Sequence, residues 1–268
     1  MLPVYHRKAD AHNICLISLQ KQKGTIMDNL QLGCGYIKLK YPIDSVGLLW
    51  ECPVYHWMSE LGRVRVTDHN IYLALGHDSI PDNETAKDII MTALGKGVRI
   101  TRVDFYVDYE GTFPFDAYYT LRAQNERGQA TIVKSPTGKT VYVGKRSSAR
   151  MLRVYDKRGE ILHTKKVDIG YDVTRVELEV KRNAVDVYVD LFLRDKHDAI
   201  LGDIQHRYGL SGFCKHSKPV RLDKVEPGES GALAFVTRYH DVIGRAYRAH
   251  KGEFLELIGE SNNEKCNI

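Results

Sequence analysis

Three segments with the alternation of β-strands each carry their reactive side chains on one side, and this constrains the fold more than any other feature of the chain. In 98–109 (VRITRVDFYVDY), Arg102, Asp104 and Asp108 share a face. In 150–160 (RMLRVYDKRGE) the set is Arg153, Tyr155 and Lys157, and in 173–182 (VTRVELEVKR) it is Arg175, Glu177, Glu179 and Lys181. Successive side chains of a strand point to opposite sides of its sheet. If the three strands lie side by side, four acids, five bases and a tyrosine look into one place. One such strand alone reads as an ordinary solvated face; three predict a shared polar pocket.

The remaining sequence fits a sheet-based domain. At 268 residues, 43% hydrophobic and 27% charged, the chain is long enough to bury a substantial core. It has no run of about 18 apolar residues that would read as a membrane span, and its first residues lack the apolar stretch of a signal peptide. A cytoplasmic protein with no membrane partner is expected. The five cysteines are scattered without CxxC spacing, which predicts reduced thiols rather than a disulfide framework or a zinc site.

Short strands are predicted over 12–18, 35–41, 62–68 and 70–76, followed by a helix over 81–97 capped by Asp82 or Asn83. A short helix over 114–128 and a hairpin over 130–144 precede the tyrosine strand. From 183 the pattern turns helical, over 183–200 with Asn183 as its cap, then near 200–208, 229–240 and 241–259. The expected fold is α+β, a largely antiparallel sheet carrying the active site with a helical C-terminal part. The expected division is a β-rich catalytic region, 1–200, and a helical region, 201–268, with the boundary near 200–225 if the chain divides, and one compact domain as the alternative.

A net charge of +5 is mildly basic. Its distribution says more: basic clusters at 99–102, 145–153, 163–168, 215–224 and 245–251 suit a phosphate backbone. Lys145, Arg146, Arg150 and Lys181 are the expected contacts beside the three strands.

The acids suit a metal ion. Glu177 and Glu179 are two residues apart on one face, about 6–7 Å, so both can lean onto one ion, whereas Asp104 and Asp108 are about 13 Å apart, so at most one joins them. Asp104, beside the core of its motif, is taken as the third ligand and Asp108 as a salt-bridge partner. Oxygen ligands without histidine or cysteine favour magnesium or manganese. No histidine pair has metal-ligand spacing, and no GxGxxG, Walker-type or GxSxG motif occurs, which argues against nucleotide-fuelled and serine-hydrolase chemistry.

A phenol, with a pKa of about 10, is a poor nucleophile at neutral pH. Flanking cations would favour the phenolate, and a metal on the phosphate would ease attack. Sixteen tyrosines are present. Tyr155 stands out for Arg153 and Lys157 beside it, but physical chemistry alone does not choose it over Tyr106 or Tyr142, which lie on strands nearby, and an aromatic side chain on a sheet most often serves packing.

The ordered motifs R-x-D-x-x-x-D (102–108), Y-x-G-x-R-x-S (142–148), R-x-Y-x-K-x-x-E (153–160) and R-V-E-x-E-x-K-R (175–182) resemble those of the Rep_trans family of plasmid rolling-circle replication initiators. The resemblance implies a homodimer that binds a double-strand origin and extrudes a hairpin. It implies nicking by a tyrosine, here Tyr155 with Arg153 and Lys157 beside it, that keeps the 5′ end as a phosphotyrosyl link. It also implies a divalent metal, recruitment of a host UvrD-like helicase, and origin discrimination towards the C terminus, so that origin recognition is the role expected of the helical region 201–268. That last segment matches 238–251, with Arg238, Arg245, Arg248 and Lys251. Glu160 falls on the motif too, as a partner for Lys157 or Arg158 or an aid to proton transfer. Three alternatives stand beside this reading: a conjugative relaxase or mobilisation protein with the same chemistry, a hydrolytic nuclease built on Asp104, Glu177 and Glu179, and a non-catalytic DNA-binding repressor.

Overall fold

A computed structural model describes residues 17–18, 30–43, 46–124, 129–211 and 218–222. Its strands are β1 (Ile17–Ser18), β2 (Gly33–Pro42), β3 (Arg65–Thr67), β4 (Asn70–Leu75), β5 (Arg99–Glu110), β6 (Ala130–Ser135), β7 (Gly138–Val143), β8 (Arg150–Asp156), β9 (Val173–Lys181) and β10 (Leu210–Ser211). The helices are α1 (Pro53–Leu61), α2 (Asn83–Gly95), α3 (Phe115–Ala123), α4 (Lys157–Lys165), α5 (Ala184–Leu193) and α6 (His197–Tyr208). Eight strands form one sheet in the order β3-β4-β2-β5-β9-β8-β7-β6, every adjacent pair antiparallel. The short β1 and β10 pair in parallel. The fold is α+β: an antiparallel sheet bearing the candidate site, with helices following its last long strand.

One face of the sheet is apolar because alternation puts Val103, Phe105 and Val107 of β5 beside Val176, Leu178 and Val180 of β9 and Leu152 and Val154 of β8, all fully buried. Helices α2 and α5 pack there against β5, and α6 against α5. Phe105 meets Tyr188 and Phe192 of α5 at ring-centroid distances of 6.4 and 5.3 Å. The core therefore lies on one side of the sheet and leaves the other side for the polar residues. Strand β9, flanked on both edges, is buried along all but its last residue.

Helix α2 starts where the sequence indicates: the Asp82 carboxylate accepts from the Thr85 N–H at 2.7 Å, satisfying an otherwise unpaired first-turn donor. Three expectations are corrected. The tyrosine strand ends at Asp156, whose side chain accepts from the Gly159 N–H at 2.8 Å and caps α4, so Lys157 starts a helix rather than extending the strand. The helix over 183–200 is two helices, broken where Asp195 adopts φ 56°, and Asn183 makes no side-chain cap bond. Helix α1, with Pro53 in its first turn, was not expected in a front read as strands. The division at 200/201 falls inside α6. The segments 229–240 and 241–259 lie outside the described residues, as do most of 12–18 and of the region 201–268. Among the described residues no helix is long and apolar enough to cross a membrane.

Candidate active site

Strand register writes the open face as rows of side chains. Asp104 of β5 pairs with Glu179 of β9, and Glu179 with Met151 of β8. The next row is Tyr106, Glu177, Arg153 and, on β7, Tyr142; the one after is Asp108, Arg175, Tyr155 and Thr140. Arg102 and Lys181 stand opposite each other at one end. The polar face predicted from alternation is thus a single surface, assembled because β9 sits between β5 and β8.

Tyr155 is 8% exposed. Its hydroxyl donates to Glu177 Oε2 at 3.3 Å, and the Arg153 guanidinium donates to both oxygens of Glu177 at 2.6 Å while lying 4.7 Å from the Tyr155 ring centroid. Lys157 Nζ lies 5.9 Å from that centroid and is ion-paired to Glu160. The flanking cations were expected to favour the phenolate. Instead burial, and next the Glu177 carboxylate, push the phenol well above its ordinary value, and Arg175 and Arg153 only partly oppose them. Both flanking cations are committed to acids, which weakens their pull on the phenol. The chemical consequence is that Tyr155 needs a local proton acceptor, and Glu177 is hydrogen-bonded to it.

Asp104, 2% exposed, receives two hydrogen bonds from Arg102, at 2.7 and 2.5 Å, and the same Arg102 Nη2 lies 2.7 Å from Glu179 Oε2. Burial pushes Asp104 up to about 7; Arg102 opposes this, while Glu177 and Glu179 add to it. Glu179 also pairs with Lys181. Two of the three expected metal ligands therefore converge on one positive group, whereas Glu177 is turned to Arg153 and Tyr155. Among the described residues no three acids, histidines or cysteines form a metal-binding group. The donor chemistry of Asp104 and Glu179 would still suit a hard cation, since magnesium is commonly held by one or two carboxylates plus substrate phosphate oxygens. Asp108 pairs with Arg175 through two bonds of 2.6 Å, the salt-bridge role spacing assigned to it.

Beside these residues lies a cleft of about 300 Å³ lined by Arg102, Tyr142, Arg146, Met151, Arg153, Glu177, Glu179 and Lys181. Lys145 and Arg146 are exposed, and Lys181 donates to the Arg146 carbonyl. Arg150, expected beside these as a DNA contact, sits at the opposite parity from Arg153 and points away from the cleft to the helix layer, where it donates to the Tyr188 hydroxyl at 3.1 Å and the Val220 carbonyl at 3.3 Å. Arg238, Arg245, Arg248 and Lys251 lie outside the described residues.

Two residues of the face have surroundings that their sequence positions do not reveal. Arg175, one of the cations of the face, is held between Asp108 and the Tyr106 ring, 3.9 Å from its centroid. Tyr106 in turn lies against Gly33 and Gly35, where a Cβ on Gly33 would come within 2.5 Å of the ring. Tyr142 enters the cleft only through its pairing with Arg153 across β7 and β8. Strand alternation marks its face, but nothing local says that the face is a cleft.

A buried tyrosine hydrogen-bonded to a carboxylate on an antiparallel sheet, beside a basic cleft, describes a class of site suited to transfer of an anionic group. Residues 114–208 match the family model of Rep_trans, described as "Replication initiation factor"; this segment holds Arg153, Tyr155, Lys157, Glu177 and Glu179. The resemblance drawn from the motifs is thus borne out across the central segment. A "Replication initiation protein" of Staphylococcus aureus is 30% identical over 93 residues, 34% of this chain and 29% of that protein's length. A solved structure titled as a rolling circle replication initiator protein from Geobacillus stearothermophilus is similar at 16% identity with a TM-score of 0.46, covering 66% of this chain and 84% of the other.

Proposed function

We propose that this chain initiates plasmid rolling-circle replication by nicking one strand of its origin with Tyr155. The observation that carries the reading is the hydrogen bond from Tyr155 to Glu177, with Arg153 fixing the same carboxylate. Glu177 accepts the phenolic proton as the Tyr155 oxygen attacks the scissile phosphorus. The bond from phosphorus to the 3′ oxygen breaks, the 5′ phosphate stays on the tyrosine, and the 3′ oxygen leaves as a hydroxyl after taking up a proton. Splitting strand transfer into two phosphoryl exchanges keeps the bond energy for rejoining. Arg153 and Arg175 hold the charge that develops on the phosphate.

A magnesium or manganese ion held by Asp104 and Glu179 would supply further charge neutralisation at the phosphate. Arg102, which now bridges these two acids, would then turn to the DNA backbone. Arg146, Lys145 and Lys181 hold phosphates on either side. As the resemblance implies, the working unit is a homodimer on origin DNA and its extruded hairpin, with a host UvrD-like helicase opening the duplex from the nick. The test is a denaturing gel of protein incubated with origin-bearing supercoiled plasmid and either metal. A protein–DNA adduct that needs Tyr155 supports the reading; nicking without an adduct points to hydrolysis, and intact plasmid overturns nicking altogether.

A further inference from the structure

The geometry points to Tyr142 as a stacking platform for one unpaired DNA base, making the cleft beside Tyr155 a subsite for a single nucleotide of an open strand. The inference deepens the nicking proposal and rests on it for the identity of the ligand. Its own evidence is the shape and chemistry of the cleft.

Four bases, Arg102, Arg146, Arg153 and Lys181, line the cleft against two acids, Glu177 and Glu179, so it attracts an anion. The acids are engaged by Arg153, Arg102 and Lys181, whereas Arg146 has no acid partner among the described residues. The apolar surface comes from Met151, 7% exposed, and from Tyr142, half-buried. Tyr142 donates no hydrogen bond among the described residues, and β7 and β8 hold it in the row of Arg153, next to that of Tyr155. An aromatic ring on the cleft wall, a flexible thioether and a guanidinium with no acid partner among the described residues are what a base attached to its phosphate requires. The volume of about 300 Å³ is at the small end of ligand pockets; it admits one splayed-out nucleotide and excludes a stacked duplex. Stacking on a tyrosine tolerates any base, so this subsite holds the strand in place while origin choice is made elsewhere.

The test compares binding of the full chain to a short fluorescein-labelled single-stranded DNA and to the same sequence as a duplex, without metal so that no cutting intervenes. Tyr142→Ala should bind the single strand roughly 10-fold more weakly, Tyr142→Phe should stay within about twofold of the wild type, and duplex affinity should not change. Unchanged single-strand affinity in Tyr142→Ala, or an equal loss in Tyr142→Phe, overturns the inference. If Tyr142→Ala is misfolded by its melting curve, photocrosslinking of wild type to iodouracil-substituted single strand decides: an adduct peptide containing Tyr142 supports the subsite, and adducts only elsewhere overturn it. The two proposals fail separately. A crosslink at Tyr142 with no phosphotyrosyl adduct on plasmid sinks the nicking reading alone, and an adduct on plasmid with normal single-strand binding by Tyr142→Ala sinks the subsite alone.

Discussion

Tyr155 and Glu177 sit on adjacent antiparallel strands with the phenol hydroxyl 3.3 Å from a carboxylate oxygen that Arg153 also holds. Burial, and next the carboxylate, raise the phenol's pKa, and the same carboxylate is within reach of its proton. A phenol in this setting holds its proton more tightly than a free tyrosine, so its use as a nucleophile would depend on the neighbouring carboxylate.

Glu177→Gln keeps the shape of the side chain and most of its hydrogen bonds but loses the proton acceptor. Nicking should fall by about 10²–10⁴-fold, the range for general base catalysis, while origin binding by filter retention stays within a fewfold of wild type. Joint loss of binding and nicking would assign Glu177 a structural role instead.

Arg150 and Arg146 lie four residues apart and should behave in opposite ways. Arg150→Ala removes a partner of Tyr188 near the fully buried Asp203, so it should lower unfolding stability by about 1–3 kcal/mol, with nonspecific DNA binding unaltered once the protein is folded. Arg146→Ala should leave denaturant unfolding unchanged and reduce the salt dependence of DNA affinity by about one unit of slope. Similar effects of the two on DNA binding would contradict the parity of β8.

Gly33→Ala should destabilise the chain by about 1–3 kcal/mol, because the added Cβ must displace the Tyr106 ring. The clash is local, so Tyr106→Ala should abolish that cost: in a double-mutant cycle by urea unfolding, the glycine substitution should become nearly neutral once the ring is gone. Additive losses would mean that the ring is not what excludes a side chain at Gly33.

Asp104 gives a pH signature. Its ordinary pKa is 3.8 and burial lifts it to about 7, so the folded state holds a proton that the unfolded state has released. An acid shifted upwards contributes fully at low pH, and that contribution is lost as pH climbs to about 7. Unfolding stability of wild type relative to Asp104→Asn should therefore fall between about pH 4 and pH 7 and level off above. A flat difference across that window would place Asp104 as an ordinary ionised carboxylate.

The strands were legible in the sequence because period-2 alternation survives in β5, β8 and β9, and with it the grouping of Asp104, Glu177, Glu179, Arg153 and Tyr155. Parity also held the answer to Arg150, which a reading by charge cluster obscures. The end of β8 was harder, since Asp156 is a plausible strand residue until its side chain is seen capping α4. The break after Leu193 depends on Asp195 in a left-handed conformation, and no glycine marks it. The electrostatics of Tyr155 were legible only in part: the pairing of Lys157 with Glu160 is local, whereas Glu177 is 22 residues away in the chain and adjacent only through the sheet.

The most direct test of the account is peptide mapping of the covalent species formed on origin-bearing supercoiled plasmid in magnesium or manganese. The account predicts a 5′-phosphotyrosyl adduct on the peptide containing Tyr155, and none from a Tyr155→Phe protein that is folded and still binds the origin. An adduct that persists in Tyr155→Phe, or maps to another tyrosine, would contradict it.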